Sequence, residues 1–352
     1  MTARTPLEGP SIWLGKDMAR SPRWIRQFSA PALAEIDAGL AAAKARGAAW
    51  KEVTRQDFAR PALLAQMAEV ARELEDGCGM VKLRGLPVGD YNDADLRRIY
   101  FGLGCVLGRP VFQNRSGELM RDIRDEGADI GKNYGQIETK DGGKFLSSYA
   151  RTLSNGQLRF HTDRTDAVGL LCVRQARAGG VSKLASTGAI HNAILARRPD
   201  LLDALFEDFW RSRLGEETGS AASVYPLPIF GLREGRLTSH YSLTYIEAAQ
   251  MVEGVPKLSA AQREAIAMLM AVAEELSFEM TLEPGDIQFL NSHITYHGRT
   301  AFEDDKQSGQ DRLLLRLWLS MPNSRPLPRG HEVLWGSIEA GKPRGGIGQT
   351  AG

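Results

Sequence analysis

Cysteine is scarce in this chain. Only Cys78, Cys105 and Cys172 occur, an odd number at wide spacing, which argues against a disulfide framework and a thiolate zinc site; all three read as small buried residues. Long apolar runs are missing as well. No stretch reaches the roughly 18 residues that a bilayer span needs, and the opening MTARTPLEGPSIWLGKD has no apolar run behind a basic patch, as a secretory leader would. Neither sign of charge dominates: 44 Lys and Arg stand against 43 Asp and Glu, so the balance does not point to nucleic acid or an anionic membrane as the partner. The expectation is a soluble, cytoplasmic protein acting on a small molecule, with charge recognition confined to local sites.

At 352 residues the chain has room for one elaborated domain or two. Its first part is helical in pattern. SAPALAEIDAGLAAAKARG (29–47) closes on Gly47, and RPALLAQMAEVARELEDG (60–77) puts Leu63, Met67, Val70 and Leu74 on one stripe. GMVKLRGLPV (79–88) alternates like a strand, and DADLRRIYFGLGCVLG (93–108) returns to helical spacing. Residues 109–156 are rich in Gly and charge, and read as a long excursion able to close over a site. Eight strand-like segments follow, at 157–163, 167–176, 181–187, 227–232, 236–243, 276–282, 286–292 and 312–320, interrupted by helices at 188–208 and 258–276. Eight short strands suit a jelly roll, with the helices outside. The expected fold is therefore mainly β, a double-stranded β-helix of the cupin-like kind with a helical N-terminal part. The expected division is helical 1–78 packing on a barrel domain at 79–347, with a tail at 348–352; the ending RGGIGQTAG reads as frayed.

Chemistry first shows in RFHTDRTD (159–166). On a strand alternate side chains share a face, so His161 and Asp163 point together while Thr162 points away. A neutral imidazole and a carboxylate suit a divalent first-row metal, and two histidines with one carboxylate suit non-heme Fe(II); on eight residues alone, a hydrogen-bonded surface pair explains them as well. The third ligand must come from elsewhere. His191 sits among apolar neighbours on a helix and His331 in a Pro-rich stretch, both structural in reading; His240, in RLTSHYSL, faces either lumen or solvent. LEPGDIQFLNSHITYHGRTAFED (282–304) offers both His293 and His297. They would share a helix face, but the local text favours a strand and loop.

The order of HTD, a GG-x-S strand, G-D-x-x-x-x-N followed by His-Gly-Arg, and then R-x-x-x-R-x-W-L resembles the Fe(II)/2-oxoglutarate-dependent dioxygenases of the taurine dioxygenase (TauD/TfdA) type, over roughly residues 75–347. The resemblance implies that His161, Asp163 and His297 hold the iron, leaving His293 without a role there. It implies that Arg312, 15 positions after His297 (312 − 297), grips the far carboxylate of 2-oxoglutarate by the two-pronged bonding open to a guanidinium and closed to a lysine. Ser182, in GGVS, stands where the family usually has a threonine that helps bind the same carboxylate. The cofactors implied are Fe(II), 2-oxoglutarate and O2, the products succinate and CO2, and the outcome hydroxylation or desaturation, since the carboxylate that halogenating relatives lack is present as Asp163.

Arg316 lies four after Arg312 on the same expected strand, so both face one side. It reaches the cosubstrate's reactive end, an acidic group of the substrate, or an ion-pair partner on the next strand. Asn291 and Arg299 flank His297 as candidates to orient it. The substrate side is expected to draw on Arg164, Asp166, His240 and the 109–156 excursion, with Tyr225, Tyr241 and Tyr245 as further candidates, although Arg164 should point away from the metal. A small or medium organic acid is the preferred substrate. Competing readings are a cupin-like metal-binding protein without 2-oxoglutarate chemistry and a zinc hydrolase using the same three ligands. Relatives of this kind commonly form dimers or tetramers, which leaves a homo-oligomer open.

Overall fold

The computed structural model describes residues 4–127, 129–139, 142–214, 216 and 223–348. All of the expected tail except Gly348 lies outside these residues. Eight strands carry the argument: β1 (Met80–Arg84), β2 (Leu158–His161), β3 (Ala167–Arg174), β4 (Ser182–Ser186), β5 (Phe278–Met280), β6 (Ile287–Asn291), β7 (Thr295–Arg299) and β8 (Leu313–Ser320). They form two facing sheets. The larger runs Ile25–Gln27, β1, β6, β3, β8 and Arg109–Pro110, with Met120–Ile123 also pairing on β8. The smaller runs β5, β4, β7, β2.

Alternation along β8 separates the two faces of the larger sheet. Leu314 and Trp318 point inward, packing with Val168, Cys172, Leu184, Met280 and Leu290 between the sheets. Leu315, Leu317 and Leu319 point outward into a second core shared with the N-terminal helices α1 (Ala30–Ala45), α2 (Pro61–Asp76) and α3 (Asp93–Leu107). The α2 stripe of Leu63, Met67, Val70 and Leu74 is buried there as its spacing predicts. Ser29 caps α1, accepting from Ala32 N at 3.2 Å. The helices Thr187–Arg197, Pro199–Leu205 and Ala260–Leu276 cover the outside of the smaller sheet, against Phe160, Ala185 and Tyr296. Among the described residues no helix is long and apolar enough to cross a membrane.

Three expectations change in detail. The helix read over 188–208 breaks in two, because Pro199 disfavours a helical conformation at Arg198, which sits at φ −149°. The segments 227–232 and 236–243 do not join the two sheets. Phe230–Arg233 and Arg236–Ser239 form their own hairpin, turned tightly at Glu234 and Gly235, both with positive φ (54° and 77°). Their expected places in the barrel go to β1 and β7. The 109–156 excursion is built rather than open: it holds a hairpin (Gln136–Glu138 with Lys144–Leu146), the helix Ser148–Thr152, and a strand laid along β8.

Candidate active site

Pairing of β2 with β7 sets His161 directly opposite His297. Their ring centres are 4.2 Å apart. Asp163, two residues beyond His161, brings Oδ1 to 3.9 Å from His161 Nε2 and Oδ2 to 3.5 Å from His297 Nε2. One donor atom from each of the three lies within 4.8 Å of the others, and all three side chains are buried. His161 Nδ1 lies 2.9 Å from the Arg159 carbonyl. A carbonyl only accepts, so Nδ1 carries the proton and Nε2 is left with a bare lone pair facing Asp163.

Burial pushes both imidazoles below the ordinary histidine value, His297 to about 3, with mutual repulsion adding to burial there. Both are neutral donors. Burial alone would raise Asp163, but the Arg316 guanidinium, helped by a hydrogen bond from the Trp318 indole, holds its carboxyl below the usual carboxylate range. Among the described residues Asp163 Oδ2 has no well-formed hydrogen bond, although the Trp318 indole acts on the carboxyl as a donor. An anionic oxygen buried without a donor is costly, and a bound cation removes that cost; the donor set fits a divalent metal held by two nitrogens and a carboxylate.

Arg316 and Trp318 share the inward face of β8, and Arg312 immediately precedes the strand. Arg312 is buried, its guanidinium 5.1 Å from the Phe302 ring centre, and among the described residues its Nη1 has no partner. A side chain at Gly180 would put a Cβ 3.1 Å from Arg312 Nε; that glycine, at φ +70°, keeps room for the guanidinium. Burial lowers Arg312 to about 10, still cationic at neutral pH. Ser182, two residues past Gly180, is buried in β4 opposite Arg299 of β7. Arg316 donates from Nε to Gln113 Oε1 at 2.6 Å, while Gln113 Nε2 donates to the Arg316 carbonyl at 2.9 Å. Gln113 and Tyr149, whose hydroxyl donates to Glu118 at 3.0 Å, bring the excursion to the Arg316 side; the Arg316 charge acts on Tyr149 as well as on Asp163. A cleft of about 250 Å3 opens beside His161, lined by Ser148, Arg151, Arg159, Ser242 and Thr244.

Other candidates fall elsewhere. His240 lies behind β2, 3.1 Å from the hydroxyl of Thr162, the residue that points away from Asp163. Tyr241 packs on the same side against Tyr296, ring centres 5.5 Å apart. Neither is brought together with the three-donor cluster, because strand alternation turns them to the opposite face. Arg164 donates to the Leu334 carbonyl at 2.7 Å. Asp166 accepts from His293 at 2.8 Å, Arg344 at 2.7 Å and Met321 N at 2.9 Å, so its oxygens are engaged inside the fold rather than toward a substrate. Asn291 ties β6 to α2 by donating to Leu74 O and Glu75; it does not touch His297. Arg299 donates to the Ser154 and Gly156 carbonyls, both at 2.6 Å, and so anchors the end of the excursion. Tyr225 lies beneath the Arg213 guanidinium, Tyr245 donates to Glu216, and His191 sits among Phe206 and Phe230. Sequence reasoning missed Gln113 and Tyr149. Nothing local marks either one; only the return of the excursion to β8 brings them in.

Known proteins bear on this geometry. An FR-33289 synthase from Streptomyces rubellomurinus is 28% identical over 97% of this chain and 98% of its own length. A taurine hydroxylase-like protein, SAT17, from Stachybotrys chartarum is 28% identical over 88% of this chain and 79% of its own. Among solved structures, an asparagine oxygenase in complex with Fe(II), 3-hydroxyasparagine and succinate superposes with a TM-score of 0.64 at 19% identity, covering 85% of this chain and 94% of that one. The non-heme iron oxygenase OrfP with Fe and alpha-ketoglutaric acid gives 0.54 at 18%, covering 84% and 94%. These two share the fold. The profile of the Taurine catabolism dioxygenase TauD, TfdA family matches residues 43–318, and with that match this chain belongs to the TauD/TfdA family, as an oxygenase dependent on iron and 2-oxoglutarate.

Proposed function

We propose that this oxygenase hydroxylates or desaturates a small or medium organic acid, with His161, Asp163 and His297 holding ferrous iron, Arg312 and Ser182 holding the far carboxylate of 2-oxoglutarate, and Arg316 facing an acidic group of the substrate. The observation that carries the reading is a pair of unmet demands in one buried space. Among the described residues Asp163 Oδ2 has no well-formed hydrogen bond and Arg312 Nη1 has no acceptor, and a metal ion with a dicarboxylate cosubstrate answers both. Iron with 2-oxoglutarate and dioxygen, when bound, supplies the oxidising step, and the cosubstrate leaves as succinate and carbon dioxide.

The chain's own residues do the positioning. The Arg159 carbonyl keeps His161 in the tautomer that presents Nε2. Gln113 fixes Arg316 through Nε, which leaves its terminal nitrogens to meet an anion. Arg299 holds the end of the excursion in place. The complexes of the neighbours with hydroxylated amino acids support a small-molecule substrate here. A zinc hydrolase has no use for Arg312, and family membership disfavours it.

Anaerobic addition of Fe(II) and then 2-oxoglutarate is expected to raise the weak visible absorption of a chelated oxo acid; a flat difference spectrum rejects the cosubstrate site. A succinate-release screen over sulfonates, amino acids and betaines then identifies the substrate class. Arg316→Ala is expected to raise KM for an anionic substrate while leaving 2-oxoglutarate binding intact.

A further inference from the structure

We propose that the C-terminal Arg344-Gly345-Gly346 segment is a positioning strap that aims the Asp163 carboxylate, so that the far end of the chain sets metal affinity. The inference rests on the assignment of Asp163 as an iron ligand. Its starting point is a correction: RGGIGQTAG reads as a frayed end, yet Arg344 and Ile347 are among the buried residues, 4% and 1% exposed.

The segment is stitched to the turn that follows β2. Gly346 N donates to the Arg164 carbonyl at 2.9 Å, one residue after Asp163. Arg344 Nε donates to Asp166 Oδ1 at 2.7 Å, and Arg344 N donates to Ser320 Oγ at 3.0 Å. Gly345 N donates to the Trp335 carbonyl at 3.0 Å, and Ile347 N to Phe112 O at 2.8 Å, beside Gln113. From the other direction Arg164 Nε reaches the Leu334 carbonyl at 2.7 Å. The turn and the strap therefore grip each other at both backbone and side chain.

Neither glycine tolerates a side chain. Gly345 and Gly346 have φ of +75° and +73°; a Cβ on the first would lie 2.9 Å from the Arg164 carbonyl oxygen, and one on the second 2.9 Å from Val111 Cβ. So close an approach of strap to turn is available only to glycine. The Asp166 carboxylate is the knot. It joins the turn to His293 on the β6–β7 connection, to Met321 N at the end of β8, and to Arg344, three segments that adjoin His297, Arg316 and the strap itself.

Why this acts on the metal follows from what Asp163 lacks. Among the described residues its Oδ2 has no well-formed hydrogen bond; the Trp318 indole acts on the carboxyl as a donor, and beyond that contact the direction of the carboxylate is set by the backbone on either side. On the N-terminal side the pairing of His161 with His297 supplies that. Beyond Asp163 the hold on Arg164 comes from the strap. Groups that orient a ligand without touching the metal typically contribute about 10–100-fold in affinity.

The test titrates metal-free protein with Co(II), read by visible absorption without cosubstrate, beside thermal melts of the same metal-free samples. Arg344→Ala and Gly346→Ala are expected to weaken Co(II) binding by about 10–100-fold. Leu63→Ala, in the distant α2 core, serves as a variant of comparable melting loss whose Co(II) affinity stays at the wild-type value. Arg344→Lys, which keeps a cation beside Asp166, is expected to recover part of the affinity, and it and Gly346→Ala carry the test if Arg344→Ala does not fold. Strap variants that bind Co(II) as tightly as Leu63→Ala at equal melting temperature overturn the inference and leave the ligand assignment standing. A wild-type protein that binds no Co(II) overturns the ligand assignment itself, and the strap reading with it.

Discussion

Asp163 and Asp166 stand three residues apart in one turn, 7% and 2% exposed, and their surroundings are opposite. Asp166 takes hydrogen bonds from His293, Arg344 and the Met321 amide, a set of donors that fully accounts for a buried carboxylate. Asp163 has two neutral imidazoles near it, among the described residues no well-formed hydrogen bond on Oδ2, the Trp318 indole as its side-chain donor, and Arg316 acting on it by charge. A satisfied buried charge belongs to structure. An unsatisfied one, kept ionised by its neighbours, is held ready for something that is not protein. The lesson is that burial and residue type are alike at both positions, and the bookkeeping of hydrogen-bond partners distinguishes them.

That contrast can be broken by experiment, and the largest effect falls at Asp163. Asp163→Ala is expected to abolish Co(II) binding and succinate formation while the metal-free melting temperature holds or rises, because the change removes a buried charge that no hydrogen bond fully meets. Unchanged succinate release would mean that the carboxylate is misassigned. Asp166→Asn is expected to do the reverse: it leaves Arg344 buried without its counter-charge, and urea unfolding of the metal-free protein should show a loss of about 3–5 kcal/mol. A neutral outcome there would erase the distinction between the two aspartates.

A smaller effect sharpens the cosubstrate side. Arg312→Lys keeps a charge but loses the two-pronged geometry, at a cost of about 1.5–3 kcal/mol in 2-oxoglutarate binding, read as a higher KM for 2-oxoglutarate with Co(II) affinity unchanged. The smallest expected effect is a pH dependence around the Asp166 cluster. Burial pushes His293 and His331 down to about 4 from an ordinary 6.5. Unfolding lets each take up a proton between those values, so their contribution is full above about pH 6.5 and is lost as pH falls toward 4. By pH 5.5 each should cost about 1 kcal/mol of stability, and His331→Gln should flatten its share of the slope.

Much of the fold is legible along the chain. The stripe on α2, the Ser29 cap and the alternation of β8 follow from local spacing, and each is where that spacing puts it. Misreadings came where pairing partners decide. LPIFGLREGRLTSHYSL has strand character throughout, but its tight Glu234–Gly235 turn folds it on itself and takes it out of the barrel. His240 and Tyr241 are candidate lining groups whose faces the sequence leaves open; the face they occupy depends on Thr162, across a long connection, which places them behind β2. Gln113 and Arg344 had no local signal, since each reaches its partner over a separation of well over a hundred residues, 203 for Gln113 to Arg316 and 178 for Arg344 to Asp166.

The sequence by itself placed a histidine and an aspartate two apart, and two arginines four apart, where the period of a strand makes each pair share a face; the choice of the histidine in YHGR as the third ligand came with the resemblance to the family. The tertiary structure alone decided which buried charges are already answered by protein and which are not. Hydrogen-bond satisfaction depends on atoms brought within about 3 Å by strand pairing and chain return, and no periodicity within a segment encodes it.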